Sequence, residues 1–257
     1  KASRIAAEGL VSVYVEGNKG AVVEVNSETD FVAKNEIFQE YVADAAIVAL
    51  KSSGEVCDMK SFNCPKCGKT FEERLTDMIA KIGENMNLRR AKMLEVDNGV
   101  IASYIHNAAG ANIGKIGVLV ALESTADKAK LAELGKHIAM HVAASNPQFL
   151  NVTSVDPAAV EHEKSIFAEQ AKASGKPENI IEKMVEGRVR KYYDEVVLEE
   201  QAYIMDPDKK VKQVVEEAAK ELGADIKLAG YIRFKLGEGL QKKEEDFASE
   251  VAAQLGK

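Results

Sequence analysis

Two stretches of this 257-residue chain repeat the same order of glycine, apolar and capping residues, and this repeat strongly constrains the fold. The first stretch reads GLVSVYVEGNKGAVVEVNSETD from Gly9, and the second reads GVIASYIHNAAGANIGKIGVLVALESTAD from Gly99. Each has a tyrosine five residues after its first glycine, and each has a serine and an aspartate seven and ten residues after a later glycine. The alternating apolar residues predict two strands joined by a glycine-rich turn and followed by a helix. We therefore expect two copies of one strand-strand-helix unit.

Both copies predict an amphipathic helix after the second strand. The first is expected over about residues 30–50, where Ser27, Thr29 and Asp30 are all suited to capping its N-terminus. The second is expected over about residues 127–144. Apolar residues recur at helical spacing on one face of each helix: Val32, Phe38, Val42, Ala45 and Ala49 in the first, and Leu131, Leu134, Ile138 and Val142 in the second.

The rest of the chain is predicted to be mostly helical. A helix is expected over about 71–85 and a strand over 88–96, between the two copies. After Pro157, two long charged segments flank SGKPEN, whose Gly175 and Pro177 are typical of a helix stop and restart, so an antiparallel helical hairpin is expected. The remaining predictions are a helix over 209–222, a strand over 226–236 and a last helix over 243–254.

These elements predict an α+β fold with two repeated core subdomains. The N-terminal core subdomain is expected over 1–98, and the first part of the C-terminal core subdomain over 99–155. A helical hairpin is expected as an insertion over 156–200, and the second part of the C-terminal core subdomain over 201–240. A C-terminal helical module is expected over 241–257.

The composition argues against several classes of protein. The chain carries 34 basic and 41 acidic residues, a net charge of -7, which disfavours a broad nucleic-acid surface. No apolar run reaches the roughly 18 residues of a membrane span, so no membrane association is expected. Glycine motifs that cradle a nucleotide are missing, and no side chain lies in a recognisable nucleophile motif. We therefore expect no nucleotide cofactor and no catalytic residue, and an enzyme with bond chemistry of its own is the less favoured class.

Two groups of residues raise a metal-binding alternative. Cys64 and Cys67 have the CxxC spacing of half a zinc site, with Cys57 nearby, but the stretch offers no fourth ligand. His137 and His141 lie four residues apart on a predicted helix, without the glutamate of a zinc hydrolase between them. A loop without metal is the favoured interpretation of the cysteines, and their odd number favours a reducing compartment.

Phe31 raises a question that the residues alone leave open. It follows Asp30 directly, at the start of the first predicted helix, where side chains often face solvent. Phe31 and Phe38 are seven residues apart and could share one buried face. Phe31 either packs in the core or is presented to another molecule.

Six motifs resemble translation elongation factor Ts, and they occur in that family's order over essentially the whole chain. They are NSETDFVAKNEIF from Asn26, KIGENMNLRR from Lys81, KIGVLVA from Lys115, HIAMHVAASNPQFL from His137, GKPENIIEKMVEGR from Gly175 and GEGLQKKEEDFASEVA from Gly237. The chain departs from the family's commoner Arg-Ile-Gly by Lys115, and its CPKC insertion is not a general family feature. The chain also begins with Lys1, and a small helical N-terminal module of the family is expected to be missing.

The resemblance implies a guanine-nucleotide exchange factor that binds elongation factor Tu carrying GDP and promotes GDP release. It assigns the family's TDFV motif to Thr29, Asp30, Phe31 and Val32, a corner that enters the nucleotide domain of Tu and disturbs the Mg²⁺ ion beside GDP. It assigns supporting contacts to Ile116, Gly117 and His141.

Elongation factor Tu is thus the expected partner, in the cytoplasm of a bacterium or, alternatively, in an organelle. Dimerisation of the complex stays open. Two other functions remain as alternatives: an adaptor that binds a partner without changing it, and, more weakly, a zinc-binding protein.

Overall fold

The computed structural model describes residues 3–241 of the chain, which form eight strands and seven α-helices within that range. The strands are β1 Glu8–Glu16, β2 Lys19–Ser27, β3 Met86–Glu95, β4 Gly99–Gly110, β5 Ile113–Glu123, β6 Ala202–Tyr203, β7 Asp206–Lys210 and β8 Lys227–Lys235. The helices are α1 Glu36–Lys51, α2 Val56–Ser61, α3 Phe71–Ile82, α4 Lys128–Ser145, α5 Pro157–Lys172, α6 Glu178–Val196 and α7 Val211–Leu222. The α+β prediction is confirmed. The helix expected over 243–254, in the predicted module 241–257, lies outside the described residues.

Six strands form one antiparallel sheet that both copies of the repeat share. Its order is β3-β2-β1-β5-β4, and β8 also pairs with β5. Only the first residues of β5 pair with β1, at Val11–Gly114 and Ser12–Ile113, whereas β8 pairs with the longer remainder of β5. The two copies therefore meet at the start of β5.

The first glycine of each copy has the same structural role. Gly9 has φ +126°, and a Cβ there would lie 2.1 Å from the carbonyl oxygen of Val25. Gly99 has φ +152°, and a Cβ there would lie 1.9 Å from the carbonyl oxygen of Leu122. Glycine alone fits such a close approach with a positive φ. The sequence repeat thus corresponds to a repeat in three dimensions.

Each copy buries its own helix against its own hairpin. The apolar faces predicted for α1 and α4 lie in two separate cores, one formed with β1 and β2 and the other with β4 and β5. A third apolar cluster lies between the two hairpins and contains Val11, Val22 and Leu119, with Phe234 of β8. This third cluster joins the two halves of the sheet.

One buried carboxylate links three distant parts of the chain. The side chain of Glu24 on β2 is fully buried and accepts hydrogen bonds from Arg89 Nη1 at 3.1 Å and Arg90 Nε at 2.6 Å, both on β3. It also accepts from the backbone N–H of Gly237 at 2.9 Å, just after β8. A buried charge is tolerated where donors surround it in this way.

The inserted hairpin is present as expected, with α5 and α6 packed side by side. Asp156 caps α5 by accepting a hydrogen bond from the backbone N–H of Ala158, and Pro157 occupies the first turn. Two elements were not predicted: the short helix α2 and the two-stranded β6–β7 ladder. The predicted division of the chain into subdomain ranges stays a prediction.

Candidate functional site

The turn between β2 and α1 presents one large aromatic side chain to solvent. We call residues 28–34 the Phe31 corner. Phe31 is 76% exposed, whereas the next two residues, Val32 and Ala33, are buried beneath it. A short 3-10 turn over Val32–Lys34 follows, with the backbone N–H of Ala33 donating to the carbonyl oxygen of Asp30 at 3.2 Å. The corner thus exposes an apolar ring on a backbone anchored by its neighbours.

A carboxylate from another part of the chain holds the corner in place. Glu84, just after α3, accepts a hydrogen bond from the backbone N–H of Thr29 at 3.0 Å and another from the Thr29 hydroxyl at 2.6 Å. The hydroxyl of Ser27 donates to the carbonyl oxygen of Thr29 at 2.9 Å. Two bonds to one carboxylate restrict both the backbone and the side chain of Thr29.

The first helix starts later than predicted, so the predicted capping is wrong. Helix α1 begins at Glu36, and its cap is Asn35, whose Oδ1 accepts from the backbone N–H groups of Ile37 at 2.9 Å and Phe38 at 3.2 Å. The 3-10 turn separates Asp30 from that helix, and the Asp30 side chain is exposed. In the second copy Asp127 caps α4 by accepting a hydrogen bond from the backbone N–H of Lys130, and α4 begins at Lys128, close to the predicted start.

The structure also decides between the two interpretations of Phe31. Phe38 is fully buried in the core with Val32 and Val42, whereas Phe31 points away from that face. The shift of the helix start breaks the seven-residue relation, because Phe31 is not part of α1. The interpretation that Phe31 packs in the core is therefore wrong.

Ile116 and Gly117 lie in β5 near the meeting point of the two copies. Ile116 is half-buried, and the neighbouring Lys115 donates from Nζ to the carbonyl oxygen of Gly9 at 3.4 Å. Gly9 pairs with Asn26, close to the start of the Phe31 corner. Gly117 is buried, and a Cβ there would lie 2.7 Å from Cγ1 of Val11. Gly117 therefore lets the two hairpins approach closely.

His141 is fully buried on α4 and works as a hydrogen-bonding hub. Its Nδ1 accepts from the backbone N–H of Ile204 at 3.1 Å, so the ring proton sits on Nε2, which donates to Oε1 of Gln201 at 2.8 Å. Burial lowers the pKa of His141, and the hydrogen bond to Gln201 opposes that shift. The imidazole therefore holds the chain that leads into the β6–β7 turn.

Sequence reasoning missed several side chains at these positions. Glu84 lies in the KIGENMNLRR motif, but only the tertiary structure brings it next to Thr29. Ile204 and Met205, at the tip of the β6–β7 turn, are 47% and 48% exposed. The signal in the sequence was two large apolar residues directly before Asp206 and Pro207, a dipeptide that is typical of turns and that here begins β7.

The cysteines lie in the segment before α3, away from the Phe31 corner in sequence. Cys57 and Cys67 are exposed and Cys64 is half-buried, all three as free thiols. Within residues 3–241, no three His, Cys, Asp or Glu side chains are grouped so that they could hold a metal ion. Among the helices of the same range, none combines the length and apolar character of a membrane span.

Comparison with known proteins gives matches along nearly the whole chain. The model of the family described as "Elongation factor TS" matches residues 28–238. The protein named elongation factor Ts in Paramagnetospirillum magneticum is 56% identical over 256 residues, covering 100% of this chain and 82% of that protein. Its namesake in Rhodospirillum rubrum is 55% identical, covering 100% and 84%, and the one in Rhizobium meliloti is 54% identical, covering 98% and 82%. The similarity therefore includes both copies of the repeat and the inserted hairpin.

Proposed function

Because this chain belongs to the elongation factor Ts family, we infer that it is a guanine-nucleotide exchange factor for elongation factor Tu in translation elongation. It binds Tu carrying GDP, accelerates the release of GDP and so allows Tu to bind GTP. In this role the chain forms and breaks no covalent bond. The proposed place of action is the bacterial cytoplasm, where translation takes place.

The exposed Phe31 is the observation that carries the proposed mechanism. A ring that is 76% exposed, on a corner whose backbone Glu84 holds at Thr29, is suited to insertion into a partner without a large loss of backbone freedom. Aromatic anchors of this kind can contribute about 2 kcal/mol or more at an interface. Asp30 is exposed beside it and is the second side chain of the TDFV motif that can reach the partner.

The proposed effect of that insertion is on the Mg²⁺ ion that Tu holds beside GDP. Mg²⁺ requires near-ideal octahedral geometry from phosphate and protein oxygens. A displacement of about 1 Å in one supporting element of Tu would therefore weaken the binding of both the ion and GDP. The residues of the motif have two different roles in this proposal. Phe31 and Asp30 contact the partner, whereas Thr29 and the buried Val32 hold the corner in its conformation.

The other assigned residues support exchange in different ways. Half-buried Ile116 has surface that a partner can touch. Gly117 and His141 are buried, so we propose that they act through their neighbours. Gly117 allows the two hairpins to pack, and His141 holds the backbone of Ile204, whose exposed side chain provides a further apolar contact.

The test uses thermodynamic linkage in the Phe31→Ala variant. If the chain loosens GDP on Tu, GDP must weaken the binding of the chain to Tu by the same factor. Phe31→Ala should therefore weaken binding to nucleotide-free Tu more than binding to Tu carrying GDP, and it should slow GDP release by roughly tenfold or more. Labelled GDP release and two affinity measurements give these values.

Ile37→Ala is the matched control, since Ile37 is an exposed apolar residue at the start of α1, close to the corner. It should leave both affinities nearly unchanged. Thermal melting of Phe31→Ala should match the parent, because the ring contributes little to the core. An unchanged ratio of the two affinities in Phe31→Ala would contradict the mechanism. The remaining function would then be that of an adaptor that binds its partner and leaves GDP release unaltered.

A further inference from the structure

The segment before α3 contains a closed hairpin whose two cysteines have no assigned role. The backbone N–H of Cys64 donates to the carbonyl oxygen of Lys69 at 2.8 Å, and the N–H of Gly68 donates back to the carbonyl oxygen of Cys64 at 3.0 Å. Gly68 has φ +69°, as a tight turn of this kind requires. We call residues 63–70, which are flanked by an isolated bridge between Asn63 and Thr70, the CxxC turn. The turn brings Cys64 and Cys67 together on one loop.

The surroundings of Cys64 favour its thiolate form. The backbone N–H of Lys66 and, after it, the side chain of Cys67 lower the pKa of the Cys64 thiol. Arg74 on α3 acts in the same direction, with Nη1 4.0 Å from Cys64 Sγ. A thiolate beside a cation and next to a second thiol is typical of reactive CxxC pairs.

The guanidinium of Arg74 is held in position by contacts on its other side. Its Nη2 donates to Oδ2 of Asp44 on α1 at 2.8 Å. The same group lies over the stacked rings of Tyr41 and Phe71, 5.6 Å and 5.4 Å from their centroids. The positive charge near Cys64 is therefore a built feature of the contact between α1 and α3. The same charge disfavours a metal cation at the Cys64 sulfur.

We propose that Cys64 and Cys67 are a dithiol–disulfide pair that reacts with low-molecular-weight disulfides. The Cys64 thiolate attacks one sulfur of the small disulfide, forming a mixed disulfide and releasing one small thiolate. The Cys67 sulfur, after losing its proton, then attacks Cys64 Sγ, forms the Cys64–Cys67 disulfide and releases the second thiolate. The protein loses two electrons and two protons, and the small disulfide is reduced to two thiols.

Position favours this pair over the third cysteine. Cys67 is exposed and Cys64 is half-buried, so a small disulfide can reach the turn from solvent. Cys57 is exposed too, but it lies on α2 and its sulfur faces the carboxylate of Asp58, at 3.9 Å, instead of a cation. Cys57 is therefore the internal control for accessibility without activation.

The experiment treats the folded chain with oxidised glutathione and follows its intact mass and its free thiols. The parent and Cys57→Ser should each lose two hydrogen atoms and two free thiols, reversibly with excess reduced thiol. Cys64→Ser and Cys67→Ser should each fail to form the internal disulfide, and Cys67→Ser should accumulate the mixed disulfide on Cys64. Thermal melting shows that each variant is folded.

A second measurement addresses the activation of Cys64 directly. The rate of alkylation by iodoacetamide is followed against pH in two double variants, one with only Cys64 and one with only Cys57. The Cys64 profile should lie at lower pH than the Cys57 profile, and Arg74→Gln should move it to higher pH. Overlapping profiles for the two thiols would overturn the proposal. Stoichiometric zinc binding that abolishes reaction with the disulfide would overturn it as well, in favour of a metal site.

Discussion

At the scale of single residues, burial separates side chains that can touch a partner from those that can only position others. Phe31 is exposed on the Phe31 corner, while His141 and Gly117 are buried. A short motif can contain both kinds, as with exposed Phe31 followed by buried Val32. The proposed roles therefore differ between residues that one resemblance assigns together.

We predict that Glu84→Gln loosens the Phe31 corner without harming the fold. A glutamine keeps the size of the side chain but has one acceptor oxygen in place of the two that bind the N–H and hydroxyl of Thr29. Losing about 1 kcal/mol of charge-assisted hydrogen bonding should slow GDP release from Tu about fivefold.

The control for this prediction is Glu40→Gln, an equal change of charge at an exposed position of α1. It should leave exchange nearly unchanged. A Glu84→Gln variant with the parent's exchange rate would mean that the exposed ring works equally well on a loose corner.

We predict that His141 makes stability fall as the solution becomes acidic. Burial lowers the pKa of His141 in the folded chain below the ordinary value of 6.5. Below about pH 6.5 the unfolded chain therefore binds a proton at this residue more readily than the folded chain does. The contribution of His141 to the free energy of unfolding is therefore complete above that pH. It declines as the pH falls further, by at most about 1.4 kcal/mol per pH unit.

Urea unfolding at a series of pH values measures the effect. The free energy of unfolding of His141→Gln should be lower than that of the parent near neutral pH and should vary less between pH 6.5 and more acidic solutions. His162→Gln, at an exposed position of α5, is the control. Parallel curves for the parent and His141→Gln would refute the prediction.

At the scale of the elements, each repeat copy is a strand pair with its own helix, and side-chain networks connect the copies to the rest. Glu24 joins β2 to β3 and to the backbone after β8. Glu24 and Gly237 are 213 residues apart in the sequence, so no local sequence pattern can predict this hydrogen bond. The carboxylate thus helps to fix the backbone that follows β8 against the sheet.

We predict that Glu24→Gln strongly destabilises the fold. The variant leaves the guanidinium groups of Arg89 and Arg90 without their buried counter-charge, and such a loss typically costs about 3 kcal/mol. Glu95→Gln is the matched control, because Glu95 forms an exposed pair with Lys19 on the same two strands. Exposed pairs contribute less than about 1 kcal/mol. Urea unfolding giving similar losses for both variants would contradict the prediction.

At the scale of the whole molecule, the two copies form one sheet instead of two separate ones. The start of β5 pairs with β1, and the apolar cluster between the hairpins joins them further. The side chain of Lys115 donates to the carbonyl oxygen of Gly9, which pairs with Asn26 near the end of β2. Parts of both copies therefore lie near the start of the Phe31 corner. One rigid sheet can therefore present contacts from both copies.

We predict that Gly117→Ala acts on this joint and not on a partner contact. The new Cβ would lie 2.7 Å from Cγ1 of Val11 and 3.1 Å from Cγ1 of Val13, so the hairpins must shift, at a cost of about 1–3 kcal/mol. The free energy of unfolding should fall, while the ratio of affinities for nucleotide-free and GDP-bound Tu stays within about twofold.

Gly187→Ala on α6 is the control, since nothing lies within 4 Å of a Cβ there. It should stabilise the chain slightly, because alanine favours a helix over glycine. If Gly117→Ala had the parent's free energy of unfolding but an altered ratio of the two affinities for Tu, Gly117 would contact the partner directly.

The sequence by itself determined most of the elements, though not α2 or the β6–β7 ladder, because hydrophobic periodicity is local. The repeat, the apolar faces of α1 and α4, the helical hairpin and the α+β class follow from residues close together in the chain. The motifs also indicated the family that the comparisons then showed. The start of α1 was wrong by six residues because three neighbouring side chains could cap a helix, and Asn35 does so after a 3-10 turn.

Only the tertiary structure decided which candidate side chains face solvent. The exposure of Phe31 depends on the turn that separates it from α1, and the anchoring of Thr29 depends on Glu84, 55 residues away in sequence. The burial of His141 depends equally on Gln201, 60 residues further along the chain. Contacts between residues so far apart arise from the packing of elements, and a sequence pattern with a period of two or 3.6 residues carries no information about them.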